Sequence, residues 1–257
     1  MEKRPLILIS NDDGITARGI NHLVMAMKEI GEVVVVAPNK PQSGMGHAIT
    51  IGQPIRLDKS TIFGDDVLAY ECSGTPADCI KLAKHHVLKD RKPDLVVSGI
   101  NHGSNSSISV IYSGTMSAAI EAAIEELPAI GFSLCDYGSQ ADFSHTQEYV
   151  QKIALQVLAK GLPKGVALNV NIPKKSDEKI KGIKIARQAL GHWGEEFDER
   201  TDPHHRKYFW LTGYFVNKDN GEDTDEWALK HNYVSVVPCI FDLTAHFGLS
   251  ELNQWNL

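Results

Sequence analysis

Through the first half of this chain, short unbroken aliphatic runs alternate with longer stretches of helical periodicity, and that alternation leaves few folds open. Strands are expected over 5–10, 32–37, 94–98 and 129–133, with helices over 18–29, 76–89 and 115–126. Strand, crossover helix and strand in repeated order build a parallel sheet. Runs such as Asp94-Leu-Val-Val-Ser98 do not alternate with polar residues, so their strands belong in a sheet covered on both faces. Ile20, Leu23, Val24, Met27 and Ile30 form one apolar stripe on the first helix. Thr75-Pro76-Ala77-Asp78 reads as a helix start, with Thr75 as cap, Pro76 at the first position and Asp78 reaching back. The expected architecture is α/β with a doubly wound, mostly parallel sheet, and ligands in such sheets gather beyond the carboxyl ends of the strands.

Past residue 135 a helix over 145–160 and a strand over 165–171 still fit that pattern. Residues 186–226 do not: they are polar, poorly periodic and spotted with Trp193, Tyr208, Phe209 and Trp210. An extended hairpin or arm that buries its aromatics against another subunit is expected there. The division is a core over 1–185 and, over 186–257, an arm followed by a strand and tail returning to the core.

The 257 residues are 42% hydrophobic, enough for a core without covalent staples. A net charge of −6, with acidic and basic residues mixed and no long basic stripe, argues against a nucleic-acid polymer as partner. Cys72, Cys79, Cys135 and Cys239 have no Cys-x-x-Cys spacing and sit in or beside apolar segments, which reads as reduced thiols in a cytoplasmic protein. The first strand is too short for a signal-peptide core or a membrane span, so no membrane partner is expected.

Asn11-Asp12-Asp13-Gly14 follows the first strand directly. Such a tetrapeptide serves by itself as a local turn, but two adjacent carboxylates at the mouth of a buried strand are costly unless a cation neutralises them. Other strand ends add oxygen donors: Ser43 in the Gly-rich segment 39–50, and Asn101 and Asn105 in Gly99-Ile-Asn-His-Gly-Ser-Asn105. Carboxylates with neutral oxygens and no clustered thiolate or imidazole suit Mg²⁺ or Mn²⁺ better than structural zinc. His47 and His102 stay outside this shell, because a lone loop histidine is more often structural. Ser113-Gly114-Thr115 opens an Ala-rich helix whose unpaired N–H groups and dipole would seat a phosphate.

Taken in order, Asn11-Asp-Asp-Gly14, the Ser43-Gly44 loop ending in Ala48-Ile-Thr50, Ser73-Gly-Thr-Pro-Ala-Asp-Cys79, Ser98-Gly-Ile-Asn-His-Gly-Ser-Asn105 and Tyr112-Ser-Gly-Thr115 resemble the SurE family of survival-protein nucleotidases. Asn169-Val-Asn-Ile-Pro173, Tyr233-Val-Ser-Val-Val-Pro238 and Asp242-Leu-Thr244 carry the resemblance nearly to the C-terminus. It implies a Rossmann-like core, a homodimer or homotetramer built through a projecting C-terminal region, and one divalent ion, Mg²⁺ or Mn²⁺, per subunit. The implied activity is metal-dependent release of phosphate from nucleoside 5′- and 3′-monophosphates, with short polyphosphate as a further substrate. Position by position, Asp12, Asp13, Ser43 and Asn101 would be metal ligands, with Asp12 and Asp13 catalytic. Ser113, Gly114 and Thr115 would line the phosphate site, with Asn105 nearby. Met45-Gly46-His47 and Met116-Ser117 depart from the residues usual in the family, beside the implied ligands and not on them, which bears on substrate preference.

A haloacid-dehalogenase-type phosphatase needs a second Asp two positions after its nucleophile; here Gly14 and Ile15 stand in those places. The strand-to-helix turn also lacks Gly-x-Gly-x-x-Gly, which argues against dinucleotide binding. The remaining alternatives are a regulatory protein that binds a nucleotide without hydrolysing it, and a scaffold whose aromatic arm mediates assembly while the acidic turn is only structural.

Overall fold

The structure is a computed structural model and describes residues 4–256; Met1–Lys3 and Leu257, the outer ends of the two expected segments, lie outside the described residues. In chain order the elements are β1 (Leu6–Ser10), α1 (Arg18–Lys28), β2 (Glu32–Pro38), β3 (Leu57–Ser60), β4 (Leu68–Cys72) and α2 (Pro76–Leu82). The α2 helix runs on into a wider π-helical stretch, Ala83–Leu88. There follow β5 (Leu95–His102), a 3₁₀ helix (Ser107–Tyr112), α3 (Gly114–Ile124), β6 (Ala129–Cys135), α4 (Thr146–Lys160), β7 (Val166–Pro173) and β8 (Ile183–Ile185). The last elements are β9 (Gly191–Thr201), β10 (Lys207–Asn217), α5 (Asp225–Lys230), β11 (Val234–Ile240) and α6 (His246–Leu252).

Nine strands form one sheet in the order β3-β4-β2-β1-β5-β6-β7-β11-β8. Its six central strands, β4-β2-β1-β5-β6-β7, pair in parallel and follow the doubly wound order in which the chain reverses direction beside the first strand. Among the described residues, only β3 on β4 and β11 on β7 are antiparallel in this sheet. Because side chains alternate along β1, Ile7 and Ile9 join the core under α1 and α4, while Leu6 and Leu8 join the core under α2 and α3. The α1 stripe is as expected: Ile20, Leu23, Val24 and Met27 are all buried.

The expected elements recur with small shifts of boundary, and three features differ. The β3-β4 pair was not foreseen, since Leu57-Asp-Lys-Ser60 at the sheet edge is half exposed and carries little apolar signal. The β5 strand does not stop at Ser98; it shifts register and continues to His102, so Asn101 is a strand residue and not a loop residue. The regular α2 helix ends at Leu82, short of the expected 89. Its start is as expected: Thr75 Oγ1 accepts from Asp78 N at 3.2 Å and Asp78 Oδ2 accepts from Thr75 N at 2.9 Å. All four cysteines are free thiols.

Within 186–257, β9 and β10 form a separate two-stranded antiparallel sheet, while β11 returns to the main one. None of α6 is buried. No described helix is long and apolar enough to cross a membrane.

Candidate active site

The reversal of strand order falls between β1 and β5, and both predicted carboxylates follow β1 there. The turn that holds them is fixed locally: Asn11 Nδ2 donates to Gly14 O at 2.8 Å, and Ile15 N donates to Pro38 O at 2.8 Å. Asp12 is 3% exposed, and its Oδ1 accepts from Thr115 Oγ1 at 2.5 Å. The N–H groups of Gly114 and Thr115, at the amino end of α3, also face this carboxylate. A β-carbon on Gly114 would sit 2.6 Å from Asp12 Cβ and 2.9 Å from Oδ2, so only glycine lets the helix start approach so closely. Asp13 is half-buried, and its Oδ2 accepts from His102 N, at the end of β5, at 3.1 Å.

Burial pushes the Asp12 carboxyl above its ordinary range, against the Thr115 hydroxyl bond that favours the ionised form. Burial and the adjacent Asp12 raise Asp13 to about 6, partly offset by the His102 N–H. Two carboxylates that oppose each other's ionisation form a site that a divalent cation would stabilise.

The neutral donors arrive by two tethers. Gln42 N donates to Asp12 O at 2.7 Å, which sets the exposed Ser43 beside the acidic turn. That loop is anchored further along: Gly46 N donates to Tyr112 O at 3.2 Å, Thr75 Oγ1 to Ala48 O at 2.8 Å, and Thr50 Oγ1 to Asp78 Oδ2 at 2.6 Å. Asn101 precedes His102, and its Nδ2 donates to Gly103 O at 2.7 Å, so the amide oxygen is the atom it could offer a cation. The residues present therefore fit a hard, oxygen-liganded ion by the chemistry of their donors.

Neither histidine set aside on sequence grounds turns its Nε2 to this shell. His47 Nε2 contacts Glu121 Oε2 at 2.9 Å, and His102 Nε2 contacts Gly138 O at 2.7 Å. Buried Glu121 also takes Lys81 at 2.5 Å; its pKa is lowered because these two bonds outweigh burial.

Of the expected phosphate residues, Ser113 caps α3, its hydroxyl accepting from Met116 N at 3.0 Å, and Thr115 is fully buried against Asp12. Asn105 sits in a buried polar layer: its Nδ2 donates to Ser133 Oγ at 2.8 Å, its N to Asn171 Oδ1 at 2.8 Å, and its O accepts from Asn169 Nδ2 at 2.9 Å. Asn169 and Asn171 were not singled out as site residues; two asparagines at alternate positions of an otherwise apolar strand are the signal that could have found them. A hollow of about 800 Å³ between Ser144 and Ile180 along α4 contains none of these groups.

A sequence model of the family described as Survival protein SurE matches residues 7–195. The protein named 5′-nucleotidase SurE from Cytophaga hutchinsonii is 67% identical over 98% of this chain and 96% of its own length. That of Flavobacterium psychrophilum, with the same name, is 61% identical over 99% of this chain and 98% of its own. The crystal structure of the SurE protein from Aquifex aeolicus superposes with a TM-score of 0.83 at 38% identity, covering 97% of this chain and 98% of that one. With the match running through β1, β5 and the start of α3, where the acidic pair is assembled, this chain belongs to the SurE family.

Proposed function

We propose that this chain is a divalent-metal-dependent phosphomonoesterase, a phosphoric monoester hydrolase of the 5′-nucleotidase type, that releases phosphate from nucleoside 5′- and 3′-monophosphates. Short polyphosphate is a further substrate class. The observation that carries this reading is the contact of buried Asp12 with the amino end of α3, beside Asp13 at the switch point of the sheet. The names of relatives at 67% and 61% identity support the same chemistry.

Asp12, Asp13, Ser43 and Asn101 hold Mg²⁺ or Mn²⁺, one per subunit. An ion bound there would supply the countercharge a phosphate dianion needs beside two carboxylates. Ser113, Gly114 and Thr115, with Asn105 behind them, hold the phosphate in line for attack by water. Asp13 accepts the proton from that water: one of its oxygens is bonded to His102 N, and the other has no protein partner among the described residues. A phospho-aspartate trapped during turnover would replace water by a carboxylate as nucleophile.

The protein works in the cytoplasm as a homodimer or homotetramer. Exposed Phe197, Phe209 and Trp210 on the hairpin, and Leu243 and Phe247 in the tail, supply the apolar surface for assembly.

The deciding experiment is phosphate release from a panel of nucleoside 5′- and 3′-monophosphates with Mn²⁺, Mg²⁺ or chelator, comparing wild type with Asp12→Asn. Metal-dependent release that is lost in the variant is expected. No release with either metal would leave a nucleotide-binding regulator as the reading.

A further inference from the structure

The base of the hairpin closes one side of a hollow of about 460 Å³ whose other side is the turn leading into α3. Tyr112, the residue before Ser113, and Gly44, the residue after Ser43, form one wall. Trp193, Glu195 and Gly213 form the other. The volume is that of a small-molecule site, and both ends of the first wall are continuous with residues assigned above to metal and phosphate.

The hairpin wall is built and fixed. Trp193 and Phe215 face each other across the strand pair, with ring centroids 5.8 Å apart and planes at 65°. Glu195 lies opposite Gly213, so the hairpin face beside Trp193 carries no side chain at that position. It cannot readily gain one: Gly213 has φ +146°, and a β-carbon there would fall 2.3 Å from Gly194 O.

The two walls share one support. Fully buried Asp225 accepts from Ser107 N at 2.8 Å and Ala189 N at 2.9 Å, and Ser107 Oγ accepts from Gly191 N at 3.1 Å. These bonds tie the start of β9 to the 3₁₀ helix that ends at Tyr112. Tyr112 O in turn holds Gly46 of the Ser43 loop.

We propose that this hollow is the nucleobase site, with a purine stacked between Tyr112 and Trp193 and Glu195 accepting from N–H groups on its edge. The proposal rests on the phosphomonoesterase reading, because it takes Ser113–Thr115 as the seat of the phosphate at the other end of the same ligand. Stacking on aromatic faces serves every base, and the two-ring purines gain the most contact. Glu195 is an acceptor only. Guanine presents two adjacent N–H donors to a carboxylate, adenine one amino group and uracil one imide N–H, so the order of preference is guanine, adenine, uracil.

The test measures kcat/KM with Mn²⁺ for GMP, AMP, UMP and ribose 5-phosphate, an ester without a base, in wild type, Trp193→Ala, Trp193→Phe and Glu195→Gln. Trp193→Ala should lower the ratio of GMP to ribose 5-phosphate about 10-fold, mainly through KM, and Trp193→Phe should recover most of it. Glu195→Gln should lower the ratio of GMP to AMP about 5-fold. A parallel measurement needs no turnover: GMP should quench tryptophan fluorescence in wild type, and Trp193→Phe should remove that quenching. Hydrolysis of ribose 5-phosphate with unchanged ratios and no quenching overturns the base site and leaves the phosphomonoesterase standing; the face would then belong to a contact between subunits. Quenching that depends on Trp193, without hydrolysis of any ester, supports the base site and overturns the enzyme. Absence of both overturns both.

Discussion

Thr115 Oγ1 donates a 2.5 Å hydrogen bond to Asp12 Oδ1, joining the first residue pair after β1 to the first turn of α3. The bond is charge-assisted and fully buried, conditions under which such bonds contribute most. Thr115→Val keeps the shape of the side chain and removes the donor. It should lower kcat about 10-fold, equivalent to about 1.4 kcal/mol, in steady-state phosphate release. An unchanged kcat together with unchanged inhibition by inorganic phosphate would count against a role for this residue.

Gly114 is the steric counterpart of that bond. A β-carbon 2.6 Å from Asp12 Cβ must push the helix start and the acidic turn apart. Gly114→Ala is expected to lose about 1–3 kcal/mol in denaturant unfolding and to lower turnover as well. Full stability with full activity would mean that the helix start shifts freely and positions nothing.

Asp12→Asn and Asp13→Asn each remove one carboxylate charge from the proposed metal shell. Turnover should fall by about two to three orders of magnitude. Each metal-free variant should be as stable as wild type or more so, because a carboxylate with a raised pKa is unfavourable when ionised. Mn²⁺ at about 100 times its Kd should stabilise wild type by about 2.7 kcal/mol and neither variant by as much, which thermal unfolding would read directly. Near wild-type turnover in both variants would remove the metal assignment.

The metal-free protein should also carry a pH signature. With Asp13 at about 6 when folded and an ordinary value of 3.8, the folded state binds more protons between those values. The contribution of Asp13 to stability therefore falls as pH rises through that window. Asp13→Asn should flatten the difference in unfolding free energy between about pH 4 and pH 7. Saturating Mn²⁺ should do the same from the alkaline side, because the bound ion favours the ionised pair. An identical pH profile in the variant would show that Asp13 is not the group responsible.

Much of the core was legible because its elements differ in periodicity. The aliphatic run of β1 and the stripe of α1 announce themselves, and the Thr75–Asp78 cap is contained within four residues. The β3 strand was not legible, since a polar strand at a sheet edge looks like a loop. Nor was the continuation of β5 through Gly99-Ile100, because a glycine after an apolar run reads as the end of a strand. The acidic pair could be picked out by its cost. Its contact with Thr115 could not, because that contact depends on how α3 packs over the sheet. The aromatic arm was visible as composition, but only the register of β9 on β10 places Trp193 opposite Phe215 and Glu195 opposite Gly213.

The bond between Asp12 and Thr115 spans 103 positions of sequence, and that between Asp13 and His102 spans 89. During synthesis the acidic turn emerges first and waits for most of the first half of the chain before either partner exists. Until then both carboxylates are solvated and far from α3. Bringing them together requires β1, β5 and α3 all to be in place, so a chain that lacks any of the three has no assembled centre. Turnover per mole of chain is thus a count of completed molecules, and its loss on heating should track the collapse of the sheet and not the fraying of a loop.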